Sequence, residues 1–242
     1  MIILYRIYQL FIMAPVLLVA TILAALVTFT ACMLGGGRLW GYYPALIWAR
    51  LFCIMTLVKV DVKGRENIDK NTSYVFIANH QGAYDIFSIY GYLGHNFRWM
   101  MKHSLGNIPL VGPACKKAGH IMVDRSSAVA LKSTMAAAKR QLNGGMSLVV
   151  FPEGARTYDG KMHRFKRGAF SLAAEFHLPM VPITIDGSFE VMPRFKKIPR
   201  WGHITLTIHK PIPAIDSTAD MNDVMEAGYN AINSALPERY RS

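Results

Sequence analysis

The pattern of apolar and polar positions divides the chain at about residue 58. From Ile7 to Gly37 there is no charged residue, and a run of about 20 apolar residues suffices to cross a hydrocarbon core. A cleaved leader is the alternative, with a shorter apolar region of about 7–15 residues ending at small residues. The Phe29-Thr30-Ala31-Cys32 stretch matches such a cleavage site poorly. Pro15 lies inside the run, where membrane helices tolerate proline. A second apolar stretch, Leu39 to Val58, carries Arg50 at its middle together with Trp40, Tyr42, Tyr43 and Trp48. Such aromatics favour the membrane–water boundary, so this stretch is expected to form a re-entrant or interfacial helix after Gly35-Gly36-Gly37, or else the return arm of a hairpin.

Past Val58, short apolar runs alternate with longer stretches of helical period, the mark of an α/β domain. Strands are expected at Val58–Val62, Tyr74–Ala78, Phe97–Met101, His120–Val123, Ser147–Phe151, Met180–Ile185 and His203–His209. Helices are expected at Ala83–Leu93, Leu110–Lys117, Ala128–Leu142, Ala169–Phe176 and Ala219–Leu236. Residues 1–58 thus read as a membrane-embedded helical segment, and residues 59–242 as one α/β domain.

Charge sharpens the division. Residues 1–58 hold Arg6, Arg38 and Arg50 and no acid, so nine of the twelve net positive charges fall on residues 59–242. A basic domain attracts nucleic acid, anionic lipid or acidic carriers, and the apolar run favours lipid. Near the C-terminal side, Arg194, Lys196, Lys197 and Arg200 are interleaved with Met192, Phe195, Ile198 and Trp201. This suits either an anionic headgroup layer, at about 1 kcal/mol per basic residue, or a solvated loop. No nucleic-acid-binding motif accompanies it, and no nucleic-acid partner is expected. Cys32, Cys53 and Cys115 are odd in number and scattered, which argues against a disulfide framework and for a reducing compartment.

Two short blocks carry candidate chemistry, each where a strand passes into a loop or helix, the usual place for ligands in open α/β sheets. In Asn79-His80-Gln81-Gly82-Ala83-Tyr84-Asp85, an imidazole precedes a carboxylate by five positions. A carboxylate on Nδ1–H fixes the tautomer and leaves Nε2 free to take a proton. The structural alternative is a loop-capping histidine beside a helix-capping aspartate. In Phe151-Pro152-Glu153-Gly154-Ala155-Arg156, a carboxylate and a guanidinium flank a glycine, and the guanidinium fork suits phosphate. Lys161, His163, Arg164, Lys166 and Arg167 follow, and by themselves read as a solvated basic loop. A metal-dependent hydrolase built on His80, Asp85, His103 and Glu153 lacks a ligand signature, and no metal is expected. A non-catalytic membrane scaffold, with both blocks as loop closures, is a further class.

Four blocks in order resemble those of the 1-acyl-glycerol-3-phosphate acyltransferases of phospholipid synthesis, the PlsC type, over most of residues 59–215. They are Asn79 to Asp85; Lys102 through Ile108-Pro109 and Gly112 to Asp124-Arg125; Phe151 to Arg156 with Phe165-Lys166-Arg167-Gly168-Ala169; and Val181-Pro182-Ile183. The resemblance implies a mixed sheet flanked by helices, preceded by N-terminal membrane helices. It implies acyl transfer from a thioester, acyl-CoA or an acyl carrier protein, to lysophosphatidic acid, giving phosphatidic acid, with no other cofactor. His80 would be the base, oriented by Asp85. Glu153 and Gly154 would help place the glycerol backbone, and Arg156 would bind the phosphate, with Lys102 and Arg125 as further candidates. Another acceptor, glycerol 3-phosphate or a lyso-aminolipid, is the alternative. Alanine at position 155, where the family has threonine, bears on that choice. Since thioester donors are cytosolic, the enzyme is expected at the cell inner membrane, its catalytic domain facing the cytoplasm.

Overall fold

A computed structural model describes residues 2–124, 126–214 and 221–241. Helix α1 (Ile2–Met33) is the long apolar run, with a π-helical stretch at Gln9–Met13, and is the one described helix long and apolar enough to cross a membrane. After a turn at Gly35, whose φ of +95° suits only glycine, a short helix at Gly37–Trp40 leads to α2 (Tyr43–Met55).

Helix α2 differs in part from the interfacial helix expected of it. Its inner face buries Ala49 and Cys53 completely in the same core as the sheet. Trp48 packs on Phe52 and Phe87, and Arg50 donates its Nε–H to the Gly91 carbonyl at 2.7 Å. The aromatics that read as boundary residues therefore divide: Tyr42 is a core residue, while Trp40 and Tyr43 remain exposed, as do the aliphatic Ile47 and Ile54. Helix α1 runs beside α2, tied by Tyr5 Oη to the Thr56 carbonyl at 2.8 Å, Tyr8 Oη to the Met55 carbonyl at 2.9 Å, and Trp48 Nε1 to Thr21 Oγ1 at 2.8 Å. Only 17% of its most apolar window is buried.

The remaining chain builds a seven-stranded sheet from β1 (Val58–Lys63), β2 (Val75–Ala78), β3 (Phe97–Lys102), β4 (Ile121–Val123), β5 (Ser147–Val150), β6 (Met180–Asp186) and β7 (Gly202–Ile208). The order is β1-β7-β6-β2-β5-β3-β4, and every pair is parallel except β6 with β7. The expected mixed sheet is present. Central strands β2, β5 and β6 are apolar on both faces, as parallel strands covered on both sides must be.

Five further helices follow the periodic segments: α3 (Tyr84–Tyr92), α4 (Val111–Lys117), α5 (Ala128–Asn143), α6 (Gly168–Glu175) and α7 (Met221–Ser234). Of the segment expected as the last helix, Ala219 and Asp220 lie outside the described residues. One face of the sheet packs with α2 and α3 around Phe76, Tyr84, Phe97 and Ile183. The other packs with α6 and α7 around Ile77, Phe170, Met180 and Ile232. At about 25 cal/mol per Å² of apolar surface removed from water, these two layers dominate the stability of the domain. They hold rigid the C-terminal ends of β2, β5 and β6, where the chemistry-bearing loops emerge.

Candidate active site

His80 leaves the end of β2 on a loop fixed from many sides. The Asn79 side chain continues the sheet where the backbone departs: its Nδ2 donates to the Ile185 carbonyl at 2.8 Å, and its Oδ1 accepts the Ile185 N–H at 2.8 Å. The His80 carbonyl accepts from Thr157 N–H at 2.9 Å, and Gln81 Nε2 donates to the Gly160 carbonyl at 2.7 Å. Gly82 bridges Pro193, and Ala83 N–H donates to the Met192 carbonyl at 3.0 Å. This loop is over-determined.

The imidazole and the carboxylate expected to pair do so. His80 Nδ1 lies 2.7 Å from Asp85 Oδ2, and the Asp85 side chain is fully buried. Asp85 stands in the first turn of α3, where the helix dipole favours negative charge. Its Oδ2 also accepts the Gly82 N–H at 2.9 Å, and its Oδ1 accepts from Ser188 Oγ. With the Gly82 N–H and the Ser188 hydroxyl donating to the Asp85 carboxyl, that group serves as acceptor for His80 Nδ1–H as well, which leaves Nε2 as the free basic nitrogen. The ring is stacked on Phe151 at 3.9 Å and 7°, and Phe151 stacks in turn on Trp99 at 5.5 Å. Phe151 opens the second sequence block and Trp99 falls within the expected strand Phe97–Met101, but sequence alone gives neither a role beside the imidazole.

His80 lines a cleft of about 650 Å³ between the ends of β3 and β5 and helices α5 and α6. Its walls are largely apolar, with Ile86, Trp99, Met101, Leu131, Met135 and Phe151 among them. Lys102 and Lys166 bring positive charge, and Asp124 lies 3.9 Å from His103 Nδ1. Gly154 also lines it.

The remaining expected site residues are placed less uniformly. Lys102 and Gly154 share the cleft with His80. Arg156 is half-buried and is not among the cleft-lining residues; its backbone carbonyl accepts from Arg194, whose guanidinium rests over the Tyr158 ring at 4.4 Å. Its neighbour Thr157 nevertheless touches His80, so the Arg156 backbone stands beside the pair. Arg125 lies outside the described residues. Glu153 is buried, and both its oxygens are engaged by the protein itself: Oε1 accepts His80 N–H at 2.7 Å and Oε2 accepts His163 N–H at 2.8 Å. Burial pushes its carboxyl up to about 7, against the pull of those two backbone donors. Among the described residues, no three His, Cys, Asp or Glu side chains are grouped to hold a metal ion.

Residues 59–186 match the family model described as Acyltransferase, which is more than half of the chain. The chain belongs to the acyltransferase family. A 1-acyl-sn-glycerol-3-phosphate acyltransferase of Chlamydomonas reinhardtii is 34% identical over 204 residues, covering 83% of this chain and 59% of that protein. A chloroplastic protein of the same description from Brassica napus is 35% identical over 181 residues, covering 72% of this chain and 51% of that one. The chain thus spans little more than half the length of these relatives. Among solved structures, the 1-acyl-sn-glycerophosphate acyltransferase PlsC of Thermotoga maritima matches with a TM-score of 0.64 at 26% identity, covering 76% of this chain and 74% of that one.

Proposed function

We propose that this acyltransferase moves a fatty acyl group from an acyl thioester to lysophosphatidic acid, forming phosphatidic acid. The observation that carries the reading is the His80–Asp85 pair opening on an apolar cleft with lysines at its wall. The acceptor is supported by the names of the relatives.

In the proposed reaction, His80 Nε2 takes the proton from the glycerol hydroxyl, and the oxygen attacks the thioester carbonyl carbon. The C–S bond breaks as the tetrahedral centre collapses, and the departing thiolate takes the proton from the imidazolium. Asp85 steadies the ring and the positive charge that forms on it. General-base assistance of this kind is worth about 10²–10⁴-fold in rate. The apolar wall receives an acyl chain, and Lys102, with Arg156 from the adjoining loop, attracts the phosphate.

Two features support membrane association. Helix α1 leaves most of its apolar side exposed. The loop from Arg194 to Trp201 lies against its start: Trp201 meets the Tyr5 ring edge-on at 4.8 Å, and the Pro199 carbonyl accepts from Arg6 and Gln9. Phe195, Ile198 and Trp201 are exposed there beside Lys196 and Lys197. This arrangement suits an anionic leaflet on the cytoplasmic side of the inner membrane, with the cleft open to lipid.

The test is acyl transfer by the full chain in mixed micelles, with acyl-CoA and acyl carrier protein as donors, on lysophosphatidic acid, glycerol 3-phosphate and a lyso-aminolipid. His80→Ala is expected to lose about two orders of magnitude or more in kcat. Lys102→Ala and Arg156→Ala are expected mainly to raise the acceptor KM. Acylation of the lyso-aminolipid alone would overturn the acceptor assignment.

A further inference from the structure

We infer that Ser188 is a third member of the proton-transfer system, a positioning residue whose hydroxyl holds the Asp85 carboxylate in the plane that presents it to His80. The inference rests on the reading of His80 as the base.

Ser188 is fully buried, and so is Asp85. The two oxygens of Asp85 are divided between different tasks. Oδ2 receives both His80 Nδ1–H and the Gly82 N–H, while Oδ1 receives Ser188 Oγ–H as its one donor among the described residues. Without that hydroxyl, a carboxyl oxygen is left buried with no partner among the described residues. The carboxylate then turns toward other donors or draws more strongly on the imidazole. Either response changes the ring that must meet the substrate hydroxyl.

The local chain is shaped to deliver this hydroxyl. Ser188 follows β6 at Gly187, whose φ of +93° is a glycine conformation and whose Cβ, if present, would strike the His203 carbonyl. From there a single helical turn, Ser188–Val191, closes on the Gly187 carbonyl. On the facing side, a Cβ on Gly82 would collide with the backbone oxygen and the Oγ of Ser188. Two glycines thus allow two loops, 106 residues apart at Gly82 and Ser188, to touch. A serine needed only for packing would not require its oxygen to face a carboxylate already held on its other side.

Removing the hydroxyl should act on kcat. The effect expected is on the order of 10- to 100-fold, the ratio that one hydrogen bond to a charged group is worth. It should also make Asp85 a stronger partner for the imidazolium, so the acid limb of the kcat/KM profile should move to higher pH. The other titratable groups around the imidazole are Glu153 and, in the cleft, Lys102, His103, Asp124 and Lys166, and none of them bonds to Ser188.

The experiment compares wild type, Ser188→Ala and Ser188→Thr as full chains in detergent. It reads kcat, KM and their pH dependence, thermal stability, and the downfield proton resonance of the His80–Asp85 hydrogen bond. The expected result is a kcat loss in Ser188→Ala with acceptor KM within about twofold, a shifted acid limb and a moved proton resonance, with Ser188→Thr recovering part of each wherever it folds. A Ser188→Ala enzyme that keeps wild-type kcat, pH profile and proton resonance, with or without lower stability, overturns the inference. If wild type acylates none of the acceptors, the proposed reaction fails, but the proton resonance still reports whether Ser188 governs the pair.

Discussion

Replacing Glu153 by glutamine separates two effects that the intact carboxylate combines. Glu153 accepts N–H groups from His80 and His163, one on each oxygen. Glutamine keeps one oxygen and presents an NH2 where the other stood, so in either orientation one buried backbone N–H faces a donor. That costs about 1–3 kcal/mol at every pH. The opposing effect depends on pH. With its carboxyl raised from 4.5 to about 7, the native state holds a proton that the unfolded state has already released between those values. Wild-type stability therefore falls as pH rises from 4.5 to about 7, by an amount on the order of 3 kcal/mol, and is level beyond. Glutamine does not titrate. The melting temperature of Glu153→Gln should thus lie well below wild type at pH 5 and should draw level with it, or pass it, at pH 8. Activity should not follow. With the His80 N–H or its partner loop released, kcat should stay depressed, by about tenfold, at both pH values. Thermal melts and acyl-transfer rates at the two pH values make the measurement. A stability gap that is the same at both, or a Glu153→Gln enzyme with full kcat at pH 8, would refute the reasoning. So would the outcome expected of a substrate-binding carboxylate, a raised acceptor KM with kcat intact.

Two further substitutions test the site from other directions. Gly82→Ala puts a methyl group against the Ser188 backbone, which cannot give way as a flexible side chain would. It should lower stability by about 1–3 kcal/mol and kcat by more than tenfold, read by melting and rate assays. Phe151→Leu removes the ring face on which the His80 imidazole lies at 3.9 Å. An aromatic pair is worth about 0.5–1.5 kcal/mol, so a two- to tenfold drop in kcat with unchanged acceptor KM is expected in steady-state kinetics.

The strands and helices were legible in the sequence because each has one dominant period and the breaks fall at glycine, proline and polar clusters. Strands such as Met180–Asp186 and helices such as Ala128–Asn143 lie within a residue or so of the expected bounds. The stretch from Leu39 to Val58 was harder. Its outer face has the composition of a membrane boundary, but Ala49 and Cys53 on its inner face belong to the protein core, and composition averages the two. The His80–Asp85 contact could be anticipated because five positions across a helix start are a local matter. Ser188 could not, because its partner is 103 residues away and a serine after a glycine at a strand end has many ordinary uses. Glu153 was visible as a residue of consequence. That both its oxygens are taken up by backbone donors of the protein could be learned only from the fold.

The Asn79 link to Ile185 has a consequence for biosynthesis. The parts of the reaction centre are separated in time on the ribosome: His80 emerges early, whereas the strand that locks its loop appears only when most of the polypeptide has been made. A nascent chain halted before Met180 has neither the partner for Asn79 nor the hydroxyl for Asp85. Such a fragment keeps its long apolar first helix but not the completed site, so premature termination should yield an inert product rather than an unregulated one.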